Sequence, residues 1–241
     1  MGAQWKHAGK AGASAAKGAK THKLTKEIMV AAKLGDPHPE NNPRLRAAVE
    51  AARKQSVPKD TIERAIKKGA GLLDEAVQYE MVTFEGFTPH KVPVIVECLT
   101  DNRNRTSSEI KALFRKGQMG AIGSVTWMFN HLGVIEATHE NKSLDIEEVA
   151  IEAGAQNVEP LEKAEMIGTQ IGARFFCEPT DLDTVNKFLS KAGWIITTSE
   201  MSYIAKNTTE VTPEQRKEVE DFLGDVDEFD DVHRIYVALK N

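Results

Sequence analysis

The segment Asp101-Asn102-Arg103-Asn104-Arg105-Thr106 is the densest polar motif in the chain. Guanidinium groups bind phosphate oxygens through paired, charge-assisted hydrogen bonds, and asparagine amides read base edges or fix a loop. The segment falls where the apolar run Val92–Leu99 ends and a helical pattern begins, a place where backbone N–H groups also converge on an anion. Arg103 and Arg105 are therefore candidate phosphate ligands. The alternative is that Asp101, Asn102 and Asn104 cap turns while the arginines pair with carboxylates elsewhere in the chain. A larger store of cationic chemistry lies upstream. The first 72 residues carry 15 Lys/Arg against 6 Asp/Glu, and the remaining 169 sum to −14. Lys6, Lys10, Lys17, Lys20, Lys23 and Lys26 all precede the first acid, Glu27. Arg44, Arg46, Arg53, Lys54, Lys59, Arg64, Lys67 and Lys68 carry the basic character on into helical patterns. A positive end on a negative body attracts a polyanion at one end only. Trp5, flanked by Lys6 and His7, either stacks on a base or packs against the helices that follow.

Catalytic patterns are missing from the sequence. It holds no phosphate-binding GxxxxGK[ST] loop, no GxSxG, no HExxH and no calcium loop. The histidines are scattered, and neither Cys98 nor Cys177 has a CxxC or Cys/His neighbour. No catalytic residue, metal, cofactor or small-molecule substrate is expected. The run Asp225-Val226-Asp227-Glu228-Phe229-Asp230-Asp231 lacks the ligand rhythm of a calcium site and reads as an exposed acidic turn. No apolar run approaches the ~20 residues of a membrane span. The basic N-terminal stretch has no apolar core of the kind a secretory signal carries. A cytoplasmic protein is expected, with no membrane partner.

The elements that must position these residues follow from periodicity. Residues 1–20, rich in Gly, Ala and Lys, read as a flexible basic arm. A helix over Thr21–Leu34 stops at Gly35, and Asn42-Pro43 opens a second carrying Leu45, Ala48, Val49 and Ala52. A third starts near Pro58 and ends at Gly69, completing a helical domain over 21–75. From Tyr79 the period changes to that of strands, with Met81–Phe84 and Val92–Leu99 around Thr88-Pro89-His90. Thr106-Ser107-Ser108-Glu109 predicts a capping box, and Ser124–Phe129 a strand. Trp127 and Trp194, both in strand patterns, are expected in the core. Residues 131–206 repeat a strand–helix–strand unit, giving the order βαββαβ of a ferredoxin-like sandwich. The closing helix, from Pro213, and strand, His233–Leu239, cannot stand alone. They are expected to complete a middle α/β domain of residues 76–130 and 207–241, into which the ferredoxin-like domain is inserted. The fold class is thus α+β, helical domain first.

Four stretches carry a family resemblance: Asn42–Arg46, Pro58–Gly69, Glu97–Thr106 and Gly123–Phe129. They resemble the YebC-like family of probable transcriptional regulators, which includes the mitochondrial translational activator of cytochrome oxidase subunit one, and the similarity spans nearly the whole chain. Two departures are visible. Gly2-Ala3-Gln4-Trp5-Lys6 stands where members open with a Gly-His-Ser-Lys-Trp-like segment. Phe87-Thr88-Pro89-His90-Lys91 stands where the family tends to a Tyr-Gly-Pro-Gly-Gly turn. The resemblance implies three domains, the last inserted into the second, and a non-enzymatic role in gene expression. Bacterial members are described as DNA-binding transcriptional regulators, the mitochondrial member acts in translation, and bacterial relatives are linked to rescue of stalled ribosomes. A nucleic-acid-binding regulator of transcription is the reading it favours, with promoter DNA as partner. A translation factor contacting ribosomal RNA is the alternative. A protein-interaction module is the third, and it leaves the basic end unexplained.

Overall fold

The computed structural model describes residues 13–73, 79–161 and 171–240; the side chains of residues 13–20 and of Pro43 lie outside that description. Three helices come first: α1 (Ala13–Leu34), α2 (Pro43–Lys54) and α3 (Lys59–Gly69). Helix α1 begins eight residues before the expected Thr21, since Ala13, Ala15, Ala16 and Ala19 belong to the strongest helix-forming type. Asn42 caps α2, its Oδ1 accepting from Leu45 N at 3.0 Å, while its amide donates to Ala31 O and Asp36 O and so fixes the α1–α2 loop. Ile28, Leu45, Val49 and Ile62 fill the core among five alanines, which let the helices approach closely. At Gly69 a Cβ would stand 2.2 Å from Met29 O, so only glycine allows α3 to end against α1.

The middle of the chain folds as β1 (Glu80–Phe87), β2 (Pro93–Thr100), α4 (Arg103–Leu113) and the short β3 (Gln118–Met119). Then follow β4 (Phe129–His139), α5 (Ile146–Ala153), β5 (Asn157–Pro160), β6 (Ile171–Cys177), α6 (Leu182–Lys191) and β7 (Ile195–Ala205), and finally α7 (Pro213–Asp227) and β8 (Val232–Val237). The first sheet has the order β3-β1-β2-β8, so the C-terminal strand does pair with β2. Val82, Phe84, Val94, Val96 and Cys98 alternate onto the face covered by α4 and α7, where Phe114 and Phe222 meet edge to face at 5.2 Å. The opposite face buries Ile95, Val125, Phe129 and Tyr236.

The second sheet has the order β5-β6-β4-β7, antiparallel throughout, which is the strand order of a ferredoxin-like βαββαβ unit. Helices α5 and α6 cover one face, and Trp194 lies buried there, edge-on to Phe175 at 5.3 Å. β4 and β7 are 11 residues each, paired from Phe129↔Ala205 to Thr138↔Ile195, and form the stem that joins this sheet to the first.

Several expectations are corrected. The cap of α4 is Asn102, whose Oδ1 accepts from Arg105 N at 3.1 Å; there is no capping box at Thr106. Thr106 lies inside the first turn, buried, with its hydroxyl 2.7 Å from both Thr100 Oγ1 and Asp231 Oδ2. Residues 124–128 do not form a strand. The buried Glu85 carboxylate accepts the N–H groups of Gly123, Val125 and Thr126, which bends the chain into a 3-10 turn over Thr126–Met128. Trp127 therefore points out, 65% exposed, rather than into the core. His90 and Lys91, where the family tends to glycine, both adopt positive φ, 63° and 60°. The turn keeps the left-handed backbone at a cost of about 1–3 kcal/mol per residue, with His90 Nε2 held 2.9 Å from Glu218.

Candidate nucleic-acid interface

The basic residues divide into two groups, one turned inward and one turned out. Lys23 pairs with Asp227, and Lys26, only 7% exposed, donates to Asp230 O. Burial pushes the Lys26 ammonium towards a lower pKa, opposed by Asp231 and Asp230. The acidic run 225–231, expected as an exposed turn, is the end of α7 and the turn after it, and Asp227 and Asp230 within it seat α1. Arg44, at the start of α2, gives its Nε to Glu27 Oε1 at 2.9 Å. Glu27 also receives Arg234 Nη2 of β8 at 2.8 Å, and Arg234 in turn pairs with Glu200 of β7. One buried network therefore ties together the helical unit, the first sheet and the inserted sheet. Burial works against ionisation of Glu27, but Arg234 and Arg44 outweigh it and hold the carboxyl well below the usual range.

His233, beside this network, is pushed down to about 3, chiefly by burial, and is neutral when folded. Unfolding releases an imidazole that takes up a proton below its ordinary value of 6.5. The unfolded state thus binds more protons between those limits, so stability rises with pH across the window. Acidification from pH 6.5 is expected to lower the unfolding free energy, with a contribution from this residue approaching about 1.4 kcal/mol per pH unit. The His233→Gln variant should lose that contribution. Urea unfolding of both proteins across the window checks this, and parallel pH profiles would contradict it.

The outward group lies mainly on α2 and α3. Arg46, Arg53, Lys54, Lys59, Arg64 and Lys67 are all exposed. Arg46 braces the preceding loop through Pro39 O and Glu40 O at 3.1 and 2.7 Å, and Lys59 lies 3.6 Å from Glu63. Lys68 sits 4.8 Å over the Tyr79 ring. Lys17 and Lys20 belong to α1, while Trp5, Lys6 and Lys10 lie outside the described residues.

The two loop arginines part company. Arg105 is a strut: its Nη2 reaches Asp101 at 2.8 Å and Asp231 at 3.0 Å, and those hydrogen bonds, Asp231 first, raise its pKa. Arg103 is exposed and makes no side-chain hydrogen bond or ion pair among the described residues. It stands at the Thr100 end of the sheet, the end on which α1 is seated.

At the opposite end is a feature that periodicity does not single out. The loop after β3 carries Ile122, 90% exposed, and Trp127, whose indole N–H donates to Ser124 O at 3.0 Å. Lys206 Nζ donates to Trp127 O at 2.8 Å, placing a cation beside the ring's backbone. Glu85 keeps its charge against burial because the Gly123 and Val125 N–H groups hold its pKa below the ordinary value, and so keeps this loop fixed. Gly120 and Gly123, which flank Ile122, are the sequence signal for a loop. Among the described residues no group of three or more His, Cys, Asp or Glu side chains is placed to hold a metal ion, and no helix is long and apolar enough to cross a membrane.

Comparison with known proteins agrees with this architecture. Residues 2–72 match the TACO1/YebC protein N-terminal domain, and residues 79–239 match the TACO1/YebC second and third domain. A probable transcriptional regulatory protein of Pseudomonas syringae pv. tomato is 52% identical over 99% of both chains. One from Thermotoga maritima is 42% identical, covering 89% of this chain and 82% of its own. The crystal structure of a conserved hypothetical protein from Aquifex aeolicus superposes with a TM-score of 0.76 at 39% identity, over 99% of this chain and 96% of that one. By both its parts and its whole length, the chain belongs to the TACO1/YebC family.

Proposed function

We propose that this protein is a non-enzymatic regulator of gene expression that acts by binding nucleic acid through its N-terminal helical unit. The observation that carries this reading is the division of the basic residues. Lys23 and Lys26 are used to seat α1 on the acidic body and Arg44 to pair with Glu27 of α1, which leaves the exposed cations of α2 and α3 open to solvent. Phosphates are the partner such a face suits, with sequence-tolerant affinity and strong salt dependence. The names of the relatives favour promoter DNA and a role in transcription. A second reading, a translation factor on ribosomal RNA, is favoured by Trp127. A rigidly held, exposed indole beside Lys206 suits an unstacked base, which folded RNA offers and duplex DNA does not. The protein is expected to work in the cytoplasm, without cofactor or turnover.

Binding of purified protein to duplex DNA and to ribosomes, measured with the same variants, tests both readings. Trp127→Ala should weaken ribosome binding by about 1–3 kcal/mol if a base stacks there, and leave DNA binding unchanged. Arg103→Ala should weaken the preferred target by a similar ~1–3 kcal/mol with no change in melting temperature. Arg105→Ala should do the reverse, melting earlier because Asp231, 14% exposed, loses its guanidinium partner. Equal effects of the two arginine variants on binding would contradict the division drawn here.

A further inference from the structure

Three loops meet at the end of the first sheet away from the helical unit. Gly117, whose Cβ would stand 2.3 Å from Phe87 O, packs the loop after α4 against the β1–β2 turn, and Lys206 N donates to Met128 O at 2.9 Å. Residues 86–93, 117–130 and 205–209 contain no Asp or Glu, in a body that is otherwise acidic. Lys91 and Lys206 are exposed and make no ion pair among the described residues, while the bordering Glu218 and Glu210 are engaged by His90 and Lys240. Trp127 stands among these loops. Its Nε1 donates to Ser124 O, which holds one edge of the indole and leaves a ring face to solvent. Lys206 Nζ gives one N–H to Trp127 O, and an ammonium group carries three, so two remain for another acceptor. The loop keeps this shape because the buried Glu85 carboxylate accepts from Gly123, Val125 and Thr126 at 2.6, 2.9 and 2.9 Å. Hydrogen bonds to an ionised carboxylate are the strong ones, so removing that charge unfastens the loop that carries Trp127.

We propose that this tip is a second nucleic-acid site, for one unpaired nucleotide, with Glu85 as its positioning residue. The base stacks on Trp127, and phosphates along the strand meet Lys206 and Lys91. An apolar protein partner would cover the indole and Ile122 but leave both cations unanswered. A bare polyanion would answer the cations and leave the indole exposed. Duplex DNA keeps its bases stacked, so the ligand is a single strand, a loop or a bulge. The site deepens the nucleic-acid reading above and rests on it. The helical unit is seated at the other end of β1 and β2, strands of eight residues each, and so roughly 26 Å away. One molecule thus spans two segments of a folded RNA, its helical unit on phosphates and its tip on an extruded base.

The test follows each indole separately in full-length protein labelled with 5-fluorotryptophan, Trp127 being assigned by the resonance missing from Trp127→Leu. The probe is 5′-phosphorylated triadenylate up to about 5 mM, and tripolyphosphate is the control without bases. The Trp127 fluorine resonance is expected to shift saturably with the trinucleotide, and tripolyphosphate should bind at least about tenfold more weakly for want of a stacked base. Lys206→Gln should weaken the trinucleotide at least about threefold, through the loss of a phosphate contact. Glu85→Gln should weaken it at least about tenfold and leave duplex DNA binding unchanged. It should also displace the Trp127 resonance before any ligand is added, and leave that of the buried Trp194 in place. Lys206 is exposed, so its variant keeps the test decisive if Glu85→Gln does not fold. No saturable shift of Trp127, with duplex DNA or ribosomes still bound, would overturn this inference alone. Absence of all nucleic-acid binding at low salt would remove the proposed function with it. Tripolyphosphate or hexaglutamate acting as strongly as the trinucleotide would overturn it too, the peptide pointing to a protein partner. So would undiminished trinucleotide binding in Lys206→Gln or in a folded Glu85→Gln.

Discussion

Replacement of Arg234 by Met is expected to destabilise the protein by about 3–5 kcal/mol, the usual consequence of removing one partner from a buried ion network. Arg234 is the sole strand residue that reaches both Glu27 of α1 and Glu200 of β7 among the described residues, and all three side chains are largely buried. Methionine fills the volume but leaves two carboxylates facing each other across the junction of three units. The energy at stake is the desolvation of those carboxylates, not the intrinsic strength of the pair. Adding Glu200→Gln to Arg234→Met should therefore recover part of the loss, a non-additivity that a double-mutant cycle reads directly. Urea midpoints of the four proteins give the answer. A loss below about 1 kcal/mol for Arg234→Met would mean that the network is solvated like a surface pair.

The other large effect concerns binding. Four exposed cations on α2 and α3, Arg53, Lys54, Lys59 and Lys67, changed together to Gln, should weaken nucleic-acid binding about 100-fold at moderate salt. The log–log salt slope should become shallower by up to about 3–4, since each phosphate left without its cation removes about 0.9. The fold should survive. None of the four belongs to the helical core, and the Lys59–Glu63 pair is exposed and contributes at most about 1 kcal/mol. Lys26→Gln is the internal contrast: it should loosen the seat of α1 on Asp230 rather than change the slope. Filter binding with matched melts separates the two effects, and equal slopes for wild type and the fourfold variant would contradict the assignment of the interface.

Local patterns in the sequence carry the order of the elements, the helical unit and the βαββαβ insertion, because each rests on periodicity and on turns within a few residues. What such patterns miss is decided over long range. Thr106 has the look of a cap because Glu109 follows it at the right spacing, yet its hydroxyl is claimed by Thr100 and Asp231. Residues 124–129 have the pattern of a strand, but Glu85, some forty residues upstream, takes their N–H groups and turns Trp127 outward. The candidate interface is legible as a basic region, not as individual roles. Nothing in the neighbourhood of Lys23, Lys26 or Arg44 shows that their partners are Asp227, Asp230 and a Glu27 shared with Arg234. Asp227, Asp230 and Arg234 arrive only when the C-terminal helix and strand return to complete the first sheet.

The central claim is that exposed cations of the helical unit bind the phosphates of a nucleic acid. The most direct test is the salt dependence of binding of the wild-type, full-length protein to intact ribosomes and to duplex DNA, measured in parallel. The expected result is that log K falls linearly with log salt for at least one of them, with a slope of about −4 or steeper. Binding to neither at low salt, or binding with a flat salt dependence, would contradict it.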